Sequence, residues 1–293
     1  SSYALLGEKG AHRTLLSDKE INKITASTLC NQIKDLKLYP EQIRYYGDMT
    51  IEALMAFLEK NHKMEAKPTK TANQKPTDIP NIGRDRVLFV NYPAKQSYCR
   101  MFIVADEYSE AERAVAAMYN AYFGGSMNSI VFQEMREKRS LAYTAWANYQ
   151  LPGKKDGYCV NNSYIATQND KVIDAYDAFN DLFNNMPVAE QNFALAKESL
   201  ISNIRTGRVT KMSIIWNYLS NEKMGYKQDM RKVLFEQLPT MTMQDVIDFN
   251  KKYIKNTPKT YMILGKEADM DFKTLEKKYG KVQKLSLEDV FGY

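Results

Sequence analysis

The stretch FGGSMNSIVFQEMREKRSLAYTAWANY, from Phe123 to Tyr149, decides how this chain is read. Its glycine pair, Gly124 and Gly125, ends one helix, a role that glycine fills at little steric cost. After Ser126 the pattern predicts a short amphipathic helix that closes in a dense charge cluster and passes straight into an alternating aromatic strand. Arg136 and Tyr143 stand on either side of that corner. A fixed cation and a phenol aimed at one point are suited to gripping a polarised carbonyl.

Outward from this stretch, the composition is that of a globular protein. The chain has 293 residues, 44% hydrophobic and 12% aromatic, enough to bury the core of one large or two ordinary domains. No run of about 18 apolar residues occurs, as a membrane-spanning helix would need. The first residues lack the basic, apolar and small-residue succession of a signal peptide. The formal charge of +6 is dispersed among alternating Lys and Glu, as in KEINK and REKR, rather than gathered into a stripe. The expectation is a soluble protein, periplasmic or cytoplasmic if bacterial, with neither nucleic acid nor membrane as partner.

Three cysteines, Cys30, Cys99 and Cys159, lie far apart without a C-x-x-C pair, so neither a disulfide framework nor a structural zinc site is indicated. Cys99 and Cys159 sit in strand-like runs and read as small core hydrophobes. Only two histidines occur, His12 and His62, and this scarcity removes most metal and triad chemistry.

Along the chain, residues 1–64 read as helices, one strand and a final helix. Ser17 or Asp18 caps a first helix with Glu20 just inside it. Leu29, Ile33 and Leu36 fall on one face of the next, and Pro40 ends it. QIRYYG reads as a strand closed by Gly47. In DMTIEALMAFLEKNH, Asp48 or Thr50 is the cap and Ile51, Leu54, Met55 and Leu58 form an apolar stripe expected in a core. Residues 65–85 are rich in Pro, Lys and Thr without any period and read as a linker. From Arg86 follow two strands, a helix opened by a capping box of Ser109 and Glu112, the Phe123–Tyr149 stretch, another strand and two long helices. The predicted fold class is α+β, a largely antiparallel sheet with helices packed on one face.

The last part, from Trp216, runs helix, helix, strand, glycine, helix, and so does the beginning. Tyr3 pairs with Tyr218, Thr25 with Thr240 and Gly47 with Gly265. This reads as an internal repeat, in which 1–64 is the end of a preceding domain copy and 86–293 a complete one. The truncated copy is expected to expose apolar surface and to allow self-association.

FGGSMNSIVFQEMREKRSLAY resembles the second-domain signature of the pitrilysin and insulinase-like zinc peptidases, the inverzincins, which include the mitochondrial processing peptidase subunits. The usual form is a glycine pair, a small polar residue and a helix ending in L-R-E-x-R-G-L-A-Y. The glycines, Phe132, Glu134, Arg136, Glu137, Arg139, Leu141, Ala142 and Tyr143 match in one ungapped run. Met135 stands where Leu is usual, a volume-conserving change. Ser140 stands where Gly is usual, which raises the question of a positive φ at that residue.

The resemblance implies paired α+β domains closing like a clamshell on an unfolded peptide. It implies that Arg136 and Tyr143 contact substrate, Tyr143 stabilising the oxyanion, with Gly124 and Gly125 in a substrate-binding loop. From the residues alone a plainer alternative stays open, in which Arg136 finishes a helix at its negative end and Tyr143 fills the strand's core face.

Zinc is the cofactor the resemblance implies for a complete enzyme, held by an H-x-x-E-H motif. Here only His62-Lys63-Met64-Glu65 begins like it, and Ala66 stands where the second histidine is needed. No metal ligand and no catalytic residue is therefore expected in this chain. Gly124-Gly125 lacks the Lys-Ser/Thr pair of a phosphate loop, and Ser126 has no histidine suited to activate it. Glu134 and Glu137, flanked by Arg136, Lys138 and Arg139, read as a salt-bridged helix end.

The functional expectation is the C-terminal, substrate-binding portion of a zinc-dependent metallopeptidase, inactive alone. Its partners are a peptide or unfolded protein and a zinc-bearing half, in the same chain or a separate subunit. The alternative is a noncatalytic subunit or scaffold of the same fold.

Overall fold

The computed structural model describes residues 1–62, 68–71, 79 and 83–293. The chain forms α1 (Ser2–Leu6), α2 (Asp18–Ile21), α3 (Ala26–Asp35) and α4 (Ile51–Asn61), then β1 (Arg86–Asn91) and β2 (Gln96–Glu107). There follow α5 (Arg113–Tyr119), the short α6 (Ile130–Phe132), β3 (Thr144–Gln150), β4 (Tyr158–Gln168), α7 (Val172–Asn184), α8 (Glu190–Thr206) and α9 (Lys211–Met224). Helices α10 (Met230–Gln237) and α11 (Met243–Tyr253), strand β5 (Thr260–Gly265), α12 (Phe272–Tyr279), β6 (Val282–Leu285) and α13 (Leu287–Phe291) complete it. Packing divides these into a sheet unit, of Ser1–Arg13, Asp78–Gly207 and Ser220–Tyr293, and a helical unit, of Thr14–Thr77 and Arg208–Leu219. The expected linker, 65–85, lies mostly outside the described residues.

In the sheet unit the strands run in the order β3-β4-β2-β5-β1-β6. Strand β2 pairs antiparallel with β4 and β5, and β3 with β4, while β1 is parallel to β5 and β6. The fold is α+β, as expected, with a mixed sheet in which antiparallel pairs predominate. Alternation along β2 sends Cys99, Met101 and Ile103 to one face, where α5, α7, α11 and α12 bring Tyr119, Tyr176, Phe179, Phe249 and Leu275 into a single core. Burial pushes the Cys99 thiol up to about 12, in keeping with an inert core hydrophobe. The other face carries a smaller cluster, where Ala4 of α1 packs with Leu88, Phe102, Val160 and Leu285. The layer of long helices is thus on one face, and short segments cover part of the second.

The Ser109–Glu112 capping box does not form: Ser109 makes no side-chain cap bond. Glu112 turns instead to α11, where Lys252 Nζ (2.6 Å) and the Tyr253 hydroxyl both donate to it. A tertiary ion pair has taken the carboxylate that a local cap would use.

The helical unit is built differently. Ser17 and Glu20 form the expected capping box, and Thr25 and Thr50 cap α3 and α4. No described residue from 14 to 62 is buried. The α4 stripe expected as core is exposed at Ile51 (76%) and Met55, and so are Leu29 and Ile33 of α3 and Leu36 just past its end. QIRYYG is not a strand: residues 41–46 have no regular structure, because a strand needs a neighbour to take its backbone groups.

Candidate functional site

The corner at Phe123–Tyr149 is assembled against the outer edge of β3, which among the described residues pairs with β4 alone. Gly124 is buried, and a Cβ there would sit 2.0 Å from the carbonyl oxygen of Ala147. The helix end reaches the strand backbone only because this residue has no side chain. Asn120, which opens the π-helical turn Asn120–Gly124, donates from Nδ2 to the Tyr149 carbonyl (2.9 Å) and accepts from the Tyr149 N–H (2.6 Å). Its amide stands in for a missing strand and closes part of the free edge. Gly125 is exposed, so of the pair only Gly125 offers a surface that a ligand can reach.

After Ser129, whose hydroxyl donates to the Ser126 carbonyl at 2.6 Å, α6 makes barely one turn before widening into the π-helical Gln133–Lys138. Arg139 N–H reaches back to the Glu134 carbonyl at 3.1 Å, a five-residue step. The expected amphipathic helix is thus largely wide-turned, a form that recurs at functional positions. Ser140 has φ 49°, the left-handed region that glycine would enter freely and that costs a residue with a Cβ about 1–2 kcal/mol. The turn is pinned on its far side: Leu141 N–H donates to the Met135 carbonyl (2.9 Å), and the Thr167 hydroxyl donates to the Leu141 carbonyl (2.7 Å).

The charge cluster sorts itself by reach. Glu134 accepts from Lys138 at 2.5 Å, and Arg139 crosses to Asp181 of α7 at 2.8 Å. Bonds from Arg139 and then Asn185 hold the Asp181 carboxyl below its ordinary value. Arg136 takes no part in that network. Its Nε lies 3.4 Å from Glu137 Oε1, and its guanidinium carbon sits 4.6 Å from the Tyr143 ring centroid and 4.9 Å from that of Phe132. A cation over an aromatic face contributes about 0.5–1 kcal/mol at an exposed position and restrains the guanidinium beside the rings.

Arg136 and Tyr143 are therefore brought together, as the sequence suggested, and Tyr143 is 79% exposed. Exposure on this scale excludes a place for Tyr143 on the strand's core face. The sequence named Phe132 only as a motif match, and its place under Arg136, four residues on, was detectable from helical spacing. Asn120 carried no sequence signal, because its partner at Tyr149 follows from the tertiary approach.

The donors among the described residues do not fit a catalytic zinc ion. Among the described residues no three His, Cys, Asp or Glu side chains converge. His62 Nε2 is 2.8 Å from Glu41 Oε2, and the rest of the H-x-x-E start lies outside the described residues. His12 is set edge-on to the Tyr3 and Phe291 rings, and burial first, then the Arg13 charge, lower its pKa.

Residues 43–200, just over half of the chain, match the family model described as the peptidase M16 inactive domain. No curated protein matches the chain. Among solved structures, the peptidase M16 inactive domain from Pseudomonas fluorescens superposes with a TM-score of 0.65 at 15% identity, over 90% of this chain and 64% of that one. A conserved protein from Enterococcus faecalis gives 0.66 at 16% identity, over 86% of this chain and 58% of its own length. Pitrilysin gives 0.63 at 12% identity, over 93% of this chain and 30% of pitrilysin. At these identities the likeness is one of fold, and the chain spans less than two thirds of each structure. The family model and the shared α+β fold together mean that this chain belongs to the peptidase M16 family, matching its inactive domain.

Proposed function

We propose that the chain is the peptide-holding, noncatalytic portion of a zinc-dependent peptidase. It works against a zinc-bearing half, in the same polypeptide or a partner subunit, that supplies the metal and the base. The observation that supports this reading is the Arg136 clamp: a guanidinium lying over the rings of both Phe132 and Tyr143, with Tyr143 largely exposed to solvent. An extended peptide offers carbonyl oxygens that accept from both groups. A guanidinium already restrained by two rings loses less freedom when it binds. Tyr143 in this reading donates to the carbonyl under attack, and Gly125 leaves room for the peptide backbone beside it.

On the same reading, residues 1–64 close a preceding domain copy, 65–85 link it, and 86–293 form the complete copy. Exposed apolar side chains on α3 and α4 suit burial against further protein, whether a second copy of this chain or the zinc-bearing half.

The test is titration of a fluorescent extended peptide into the chain. Arg136→Ala and Tyr143→Phe are expected to weaken binding about tenfold with unchanged melting temperature. Equal affinity in both variants would contradict the role of the corner and leave a scaffold function for the fold.

A further inference from the structure

The sheet unit carries a second arginine held by aromatic rings. Strand register sets Trp146 of β3 opposite Tyr164 of β4, and Tyr164 opposite Arg100 of β2. The three side chains form one row across the sheet. Alternation puts this row on the face opposite the main core, because the flanking Cys99, Met101, Ala145 and Ile165 all point into that core.

The Arg100 guanidinium carbon lies 5.4 Å from the Trp146 ring centroid and 5.3 Å from that of Tyr164, and the two rings stack at 5.6 Å. Among the described residues its one hydrogen bond is from Nη1 to Asn162 Oδ1, at 3.3 Å, and no carboxylate pairs with it. Arg139 and Arg231, by contrast, are each bridged to an aspartate. Arginine has five N–H donors in a planar fork. Among the described residues most of the Arg100 fork is therefore unspent, and both rings lie beside it.

A fork of this kind suits bidentate binding of a carboxylate, and the chain's net charge of +6 favours an acidic partner. Tyr143 and Trp146 are three residues apart, so their Cα atoms are within about 10 Å. That is also the reach of three residues of an extended peptide.

We infer that the Trp146–Tyr164–Arg100 row is a subsite for an acidic side chain, Glu or Asp, of the peptide held at Arg136 and Tyr143. The inference rests on the peptide reading above and adds a preference to it. Arg100 and the Asn162 amide bind the carboxylate, and the two rings flank its methylene stem.

The test uses two extended, C-terminally amidated peptides that differ only in one central Glu or Gln, titrated into the 293-residue chain. The wild type should bind the Glu peptide about tenfold more tightly. Arg100→Met should abolish that preference and leave the Gln peptide's affinity unchanged, while Arg100→Lys, a check against misfolding, keeps part of it. Arg136→Ala should weaken both peptides equally. Equal binding of the two peptides by wild type overturns the acidic subsite and leaves the peptide reading intact. A Glu preference that survives Arg100→Met places acid recognition elsewhere and also overturns the subsite. No saturable binding of either peptide overturns both proposals.

Discussion

Residues 25–61 and 242–279 follow the same plan, a threonine-capped helix, a segment ending in glycine and a second capped helix, and they meet opposite fates. In the later region Thr242 and Asp245 form a capping box at α11. TYMILG is a strand between β1 and β2, and Val246, Phe249 and Tyr253 are buried. In the earlier region Thr25 caps α3, QIRYYG has no regular structure, and Leu29, Ile33 and Leu36 are exposed. The structure caps α11 with Thr242 rather than Thr240, two residues on from the pairing read in the sequence; aligned on their caps, Leu29 answers to Val246 and Leu36 to Tyr253. Local signals, caps and helical periodicity, act alike in both. Strand formation and burial appear only where neighbouring strands supply hydrogen-bond partners and a covering layer.

The largest effect expected to separate the regions is the loss of a core side chain. Phe249→Ala removes a buried ring packed on Tyr119, Tyr149 and Tyr253 and should destabilise the sheet unit by about 3–5 kcal/mol. Leu36→Ala should stay within about 0.5 kcal/mol. Paired urea titrations check both, and a comparable loss for Leu36→Ala would mean that α3 has a covering partner in solution.

A smaller contrast lies in the glycines that end the two segments. A Cβ at Gly265 would meet Ser97 Oγ at 2.4 Å, and Ser97 is buried and bonded to Asn169 at 2.8 Å. Gly265→Ala should therefore cost about 1–3 kcal/mol. At Gly47 the atom met is the tip of the exposed Tyr45 ring, which can swing aside, so Gly47→Ala should be near neutral in the same titration.

The caps give the smallest difference. Thr242→Ala removes the hydroxyl that accepts from the Asp245 N–H and donates to the Asp245 carboxylate and should cost about 1–2 kcal/mol, against about 0.5–1 kcal/mol for Thr25→Ala, whose cap has no returning carboxylate. Helix content followed by circular dichroism on heating reads both.

What the sequence made legible follows the same division. Gly124, Arg136 and Tyr143 could be found because motif and period are properties of neighbours in the chain, and Ser140 marked its own left-handed φ by standing where glycine is usual. The π-helical turns, the Asn120 amide on the Tyr149 backbone and the diversion of Glu112 to α11 depend on distant groups and left no local trace. The Trp146–Tyr164–Arg100 row is of the same kind: alternation turns each residue away from the main core, where it is half-buried, but only strand register sets them side by side. The α4 stripe shows the limit from the other direction. Its period correctly forecast one apolar face and could not say what covers it.

The most direct test of the proposed function is peptide hydrolysis by the chain combined with the zinc-bearing half proposed for it, measured for wild type, Arg136→Ala and Tyr143→Phe. The account predicts that kcat/KM falls about 10- to 100-fold in each variant, or about 1.4–2.7 kcal/mol of transition-state stabilisation, with melting temperatures and assembly of the halves unchanged. Wild-type kcat/KM in both variants would contradict it.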